Sequence, residues 1–233
     1  MKSFLETYDP ELITEGIHDP AKFKAVFLAG GPGSGKSYVA KKLALKTLGL
    51  TEINSDIAFE HMMAKHGLDP KMPDREAKAR DAVRQRAKKT IEVKQKLAIH
   101  GRQGVVIDGT GKDYEKLAKL HSHFKSLGYD TKMVFVNTKA STAHARNERR
   151  PRVIPRNIVQ KSWEGVQNNL GKYQRIFGPE HLHVVNNDTE DVDNLDHTHR
   201  KIRAWASKPP QSQLAKQWKA EEAKRRGITE PKK

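Results

Sequence analysis

The chain contains no cysteine. That excludes a disulfide-stapled scaffold and any Cys-ligated zinc or iron–sulfur site. Aromatic residues are scarce at 6%, and apolar residues reach only 36%, which is low for a compact domain. Part of the 233 residues is therefore expected as solvated charged helix or tail around one domain with a real core. No apolar run approaches the roughly 20 residues needed to span a bilayer. The opening stretch MKSFLETYDPELITEG has no apolar core and mixes in acids, so it does not read as an export signal. The expectation is a cytoplasmic protein with no membrane partner.

Positive charge, by contrast, is abundant. There are 44 Lys+Arg against 28 Asp+Glu, a net charge of +16. Such a field favours an anionic partner: nucleotide, nucleic acid or acidic protein. The excess is uneven. Residues 1–60 carry 7 basic and 8 acidic side chains, and residues 61–103 carry 12 and 5. Residues 104–180 carry 14 and 7, and residues 181–233 carry 11 and 8. The middle of the chain is the basic part, and a solvated helix face is the plain alternative to a binding role.

Short apolar runs alternate with helical patterns. The runs are Lys24–Gly30, Thr51–Asn54, Gly104–Asp108, Lys132–Asn137 and Leu182–Asn186. Between them lie helical stretches, with Ser55 or Asp56 as candidate caps of the second. A charged one spans 74–100, with Ala79, Val83, Ala87 and Ile91 as a thin apolar stripe. The clearest helix has Val159, Trp163, Val166, Leu170, Tyr173 and Phe177 on one face and stops at Gly178-Pro179. This alternation predicts an α/β fold: a five-stranded parallel sheet with helices on both faces. The expected organisation is a polar lead-in over 1–22, a domain over 23–207 and a basic tail over 208–233. The domain would hold a basic helical insertion near 57–103. The tail either holds a short helix around Leu214 and Trp218 or is disordered. Ligands of such sheets bind beyond the carboxyl ends of the strands.

The first strand end carries Gly30-Gly31-Pro32-Gly33-Ser34-Gly35-Lys36-Ser37, a full match to G-x-x-x-x-G-K-[ST] between strand and helix. The glycines let backbone N–H groups turn inward around phosphates, and the helix start adds its positive dipole end. Lys36 can reach the β- and γ-phosphates, and Ser37 can ligate Mg²⁺. With the adjoining Tyr38, residues 30–38 form the candidate nucleotide-binding set. Asp108 ends the third strand as a second candidate Mg²⁺ ligand, with a turn Asp before Gly109 as the plain alternative. Asp56, after the second strand, can accept the proton of an attacking hydroxyl, or can cap the next helix. Arg146, Arg149, Arg150, Arg152 and Arg156 fall around two prolines. They suit a lid over 146–156 that closes on phosphate, with Arg149 and Arg152 as catalytic candidates. Eleven histidines include three H-x-H pairs, but none has the acid spacing of a metal motif. Trp163 and Tyr173 read as core.

Taken together, AVFLAGGPGSGKS, INSD, VVIDGTG and RNERRPRVIP resemble the zeta-toxin and polynucleotide-kinase-like group of P-loop kinases. The likeness covers roughly residues 24–187 and extends to kinase-like proteins of tailed bacteriophages, whose location would be the host cytoplasm. It implies an adenylate-kinase-like P-loop NTPase core with ATP and Mg²⁺ as cofactors. It implies Lys36 and Ser37 on ATP and magnesium, Asp56 as base, and the arginines around Arg149 and Arg152 as lid. The group's sugar-nucleotide pocket finds no counterpart in 57–103. The leading expectation is an ATP- and Mg²⁺-dependent phosphotransferase acting on an anionic hydroxyl acceptor: nucleotide, polynucleotide or sugar nucleotide. The alternative is a nucleic-acid-stimulated ATPase without a small-molecule acceptor, recognisable by steep salt dependence. A vestigial phosphate loop in an accessory protein is a third reading, and loss of ATP binding would mark it.

Overall fold

The computed structural model describes residues 16–188 and 192–228, apart from the side chains of 192–194. Five strands form one sheet: β1 (Lys24–Ala29), β2 (Thr51–Ile53), β3 (Val105–Asp108), β4 (Asp130–Asn137) and β5 (Leu182–Asn186). Their order is β2-β3-β1-β4-β5, and every pairing is parallel. All six residues of β1 are buried, as a central strand covered on both faces requires.

The helices are α1 (Lys36–Lys42), α2 (Ser55–Lys65), α3 (Ala77–His100), α4 (Tyr114–Ser126), α5 (Ala140–Glu148), α6 (Arg156–Phe177), α7 (Val192–Ala206) and α8 (Gln213–Arg225). The period of two along the strands divides the core between the faces. Ala25, Phe27, Met133 and Phe135 pack with Phe124 of α4, with Val166, Tyr173 and Phe177 of α6, and with Ala215 of α8. Val26, Leu28, Val134 and Val136 pack on the other face with Val39 of α1 and Ile202 of α7. The insertion has its own small core. Phe59 and Met63 of α2 meet Val83 and Ala87 of α3.

Three sequence expectations change. The lead-in is not wholly polar, because Ile17 and Ala21 are buried; residues 1–15 of it lie outside the described residues. The segment after 208 joins the domain through α8. Trp218 meets Phe23 edge-on at 5.3 Å, and Ala215 is fully buried. The apolar spacing of Leu214 and Trp218 was too sparse to reveal this docking. The buried face of α6 also includes Ser162 and Asn169, while Trp163 and Leu170 are only half-buried. A hydrophobic pattern cannot find buried positions that are polar, and Asn169 donates to the Gly111 and Lys112 carbonyls near the site. His121 is a core residue as well. It bonds Thr131 Oγ1 at 3.0 Å, and burial pushes its imidazole down to about 4.

Candidate active site

The phosphate loop follows β1 at the carboxyl edge of the sheet. Gly33 and Gly35 take φ of +79° and +83°, a region that side chains rarely enter. A Cβ on Gly33 would run into the Ala143 carbonyl, and one on Gly35 into the Asn187 amide. The loop is thus threaded under α5 and the end of β5. Its Ser34 carbonyl accepts from Asn187 Nδ2 at 2.7 Å and Thr138 Oγ1 at 3.2 Å. Trp163 donates Nε1–H to the Thr138 carbonyl at 2.6 Å and packs against Gly31. The α6 tryptophan therefore supports the loop rather than filling the core. The first α1 bond runs from Val39 N–H to the Gly35 carbonyl at 3.0 Å. The amides of Lys36, Ser37 and Tyr38 consequently have no acceptor inside the helix. Lys36 donates Nζ–H to the Gly30 carbonyl at 2.8 Å. Burial lowers the pKa of its amine, against the pull of Asp108 and then Asp56.

Asp108 ends β3 beside this lysine. Its Oδ2 accepts from Asn54 Nδ2 at 2.6 Å. Its Oδ1 is buried and has no hydrogen-bond partner among the described residues. Burial pushes this carboxyl up to about 6, with Lys36 opposing. Asn54 is also the N-cap of α2: its Oδ1 accepts from the amides of Asp56 at 2.9 Å and Ile57 at 3.3 Å. Neither Ser55 nor Asp56 performs that task. The Asp56 carboxylate is left 58% exposed on the first turn, facing the cleft.

The arginines divide. Asn147 clasps the loop after α5, donating Nδ2–H to the Ile154 carbonyl at 2.8 Å and accepting from its amide at 3.1 Å. That clasp points Arg150 and Arg152 into the cleft, while Arg149 is exposed and outside it. Arg150 therefore occupies the place expected of Arg149. Helix α5 has ended, so no periodicity could have told the two apart. Arg152 reaches Asp56 at 3.5 Å and Glu60 at 3.4 Å. Arg146 was not among the expected catalytic residues, yet its Nη1 is buried without a partner among the described residues and lies close above Gly35. Asn169 and Tyr173 hold the next loop through the Gly111 carbonyl at 3.1 and 2.7 Å. Thr110 of that loop lines the cleft, which encloses about 430 Å³.

The residues present fit a nucleotide triphosphate and Mg²⁺. An orphaned guanidinium donor lies over the phosphate loop, and an orphaned carboxylate oxygen shares the cleft with the Ser37 hydroxyl. Hard oxygen ligands of this kind suit Mg²⁺, which normally completes its shell with phosphate and water. Among the described residues, no group of three or more His, Cys, Asp or Glu could hold a metal by itself.

The family model for zeta toxin matches residues 11–197. The chain belongs to the zeta toxin family. Two solved structures with TM-scores above 0.5 agree on the fold. A candidate kinase from Chloroflexus aurantiacus gives a TM-score of 0.54 at 15% identity, over 78% of this chain and 97% of that one. The AvrRxo1-ORF1:AvrRxo1-ORF2 structure with sulphate ions gives 0.55 at 13% identity, over 76% and 62%. A gluconokinase from Sinorhizobium meliloti gives 0.47 at 17% identity, over 86% and 98%. No curated protein sequence matches the chain. Family and fold make this zeta toxin family member a P-loop phosphotransferase of the kinase type. No helix among the described residues is long and apolar enough to cross a membrane.

Proposed function

We propose that the chain transfers the γ-phosphate of ATP, with Mg²⁺, to a hydroxyl of an anionic acceptor. One observation carries this reading: an exposed carboxylate, Asp56, shares one cleft with the phosphate loop, Asp108 and two inward arginines. Lys36 and Arg146 would meet the β- and γ-phosphates of ATP at the loop amides; the orphaned Arg146 Nη1 close to Gly35 supports this. Mg²⁺, held by Ser37 and Asp108, would offset phosphate charge as the transfer proceeds. Asp56 takes the proton of the acceptor hydroxyl. The acceptor oxygen forms its bond to the γ-phosphorus as the bond to the bridging oxygen of ADP breaks, and ADP leaves with that electron pair. Arg150 and Arg152 close the acceptor side and exclude water from the transferring group.

A screen with γ-labelled ATP tests this reading. Nucleosides, nucleotides, 5′-hydroxyl oligonucleotides, nucleotide sugars and proteins would each be offered. The expected result is Mg²⁺-dependent label on one acceptor class with matching ADP release. ATP binding without transfer to any class would count decisively against it. A second reading has its own observation. Lys78, Arg86, Lys89 and Lys96 are exposed on α3 with no ion pair among the described residues. If they bind nucleic acid, DNA or RNA stimulates ATP hydrolysis, and the effect fades steeply with salt.

A further inference from the structure

Beside the acceptor side of the cleft two arginines approach Asp56, and sequence reading did not single out one of them, Arg84. Arg84, from α3, lies over the Phe59 ring with its guanidinium carbon 3.9 Å from the centroid. Phe59 is itself only 1% exposed, so its ring is a fixed platform. Stacking fixes where the guanidinium sits and leaves its edge donors free. The Arg84 guanidinium makes no hydrogen bond to any described residue. Its nearest carboxylate oxygen is Asp56 Oδ1, at 4.0 Å, beyond hydrogen-bond range.

Arg152, from the loop after α5, comes to the same oxygen at 3.5 Å, and its guanidinium carbon is 5.7 Å from the same ring. Its side chain is 14% exposed, and its contacts to Asp56 and Glu60 are ion pairs without hydrogen bonds. Two guanidinium forks from separate elements thus converge on one exposed carboxylate oxygen with their donors unspent. A half-desolvated guanidinium without hydrogen bonds is costly to hold unless a ligand completes it. Two such forks facing one point match the oxygens of a phosphate. The wall beyond them is apolar, formed by Met63, Leu68 and Pro70. By helical spacing, Lys78, Lys89 and Lys96 fall on a different face of α3 from Arg84, whereas Arg80 and Lys88 share its face; Arg80 is held by the Pro73 carbonyl at 3.1 Å.

We propose that Arg84 and Arg152 form the anion site for the acceptor, a small phosphomonoester that carries a free hydroxyl. Its phosphate lies between the two guanidiniums, its body lies against Met63 and Leu68, and its hydroxyl reaches Asp56. Arg152 then leaves Asp56, and the carboxylate is free to take the hydroxyl proton. This inference rests on the phosphotransfer reading but can fail separately from it.

The test uses hydroxyl compounds paired with their own monophosphates: glycerol and glycerol 3-phosphate, ribose and ribose 5-phosphate, uridine and uridine 5′-monophosphate. Each is titrated calorimetrically into the full chain loaded with a non-hydrolysable ATP analogue, and each is assayed with labelled ATP. At least one monophosphate should bind about 10-fold or more tighter than its parent. Arg84→Gln should remove that preference by roughly 10- to 100-fold, in KM rather than kcat. Arg84→Lys should restore only part of it, because an ammonium lacks the fork. The ATP affinity of each variant reports an intact donor site. Equal affinity within every pair overturns the proposal. So does a preference that survives Arg84→Gln, or a kcat loss shared by both members of a pair. Phosphate-dependent binding that is lost in Arg84→Gln, with no label transferred anywhere, keeps the anion site and sinks the phosphotransfer reading. Transfer without phosphate preference does the reverse.

Discussion

The two halves of the cleft are built from different materials. The donor half is backbone: Gly33 and Gly35 in positive φ, loop amides, and one lysine tied to the Gly30 carbonyl. It lies in a segment of 7 basic and 8 acidic side chains, so bulk charge contributes little there. The acceptor half is side chain: Asp56, Glu60, Arg84 and Arg152, drawn from two helices and a loop and resting on the separate small core of Phe59, Met63, Val83 and Ala87. Arg84 and Arg152 come from the two basic segments of the chain, 61–103 and 104–180. Binding a phosphate chain requires a fixed loop shape, whereas choosing an acceptor requires side chains that can be varied on an inserted helical hairpin.

The sharpest break of this contrast is Lys36→Ala. It removes the one side-chain cation the donor half contributes at the loop itself. Transfer should fall by about 10³-fold or more, with circular dichroism unchanged. Asp56→Asn attacks the other half. It should lower transfer by on the order of 10²-fold or more while ATP affinity, measured by calorimetry, stays at the wild-type value. Equal loss of ATP binding in both variants would show that the two halves are not separable.

The same division decides what could be read from the sequence. The phosphate loop is local in the chain, eight consecutive positions, and its place between a strand and a helix was legible. All five strands were legible because each is a short apolar run bounded by turns. In the acceptor half the sequence marked Asp56, through its place after β2, and Arg152, through the arginine run around two prolines, but not Glu60 or Arg84. Arg84 lies 28 positions after Asp56 in a helix full of similar cations, and only the packing of α2 on α3 brings the two together. Arg150 and Arg149 are adjacent in a loop, and the Asn147 clasp on Ile154 decides which faces inward. Asn187 and Trp163 support the loop across long separations, through hydrogen bonds that no pattern encodes.

Asp108 joins the two halves and provides the next test. Its carboxyl stands at about 6 in the fold against 3.8 as an ordinary value, because it is buried. Between these values the native state binds more protons than the unfolded state, so stability falls as pH rises from near 4 to above 6. At pH 7 the ionised carboxylate costs up to about 3 kcal/mol. Asp108→Asn should therefore raise the melting temperature at pH 7, and the gain should vanish as pH falls toward 4. Transfer should be lost in the same variant. A variant that loses activity without gaining stability would mean that Asp108 is already compensated inside the protein.

The smallest effects come from Asn54, whose single amide serves both sides: Oδ1 caps α2, and Nδ2 donates to Asp108. Serine can cap but cannot reach across as a donor in the same way, and alanine can do neither. Asn54→Ala should cost about 1–2 kcal/mol in urea melts, and Asn54→Ser should cost less than about 1 kcal/mol. If the cap were the whole role, Asn54→Ser would also keep full transfer. If the bridge to Asp108 matters, transfer falls to a similar extent in both variants although only the alanine is clearly destabilised. That separation of stability from transfer distinguishes a residue that holds α2 in place from one that ties the acceptor base to the carboxylate of the donor half.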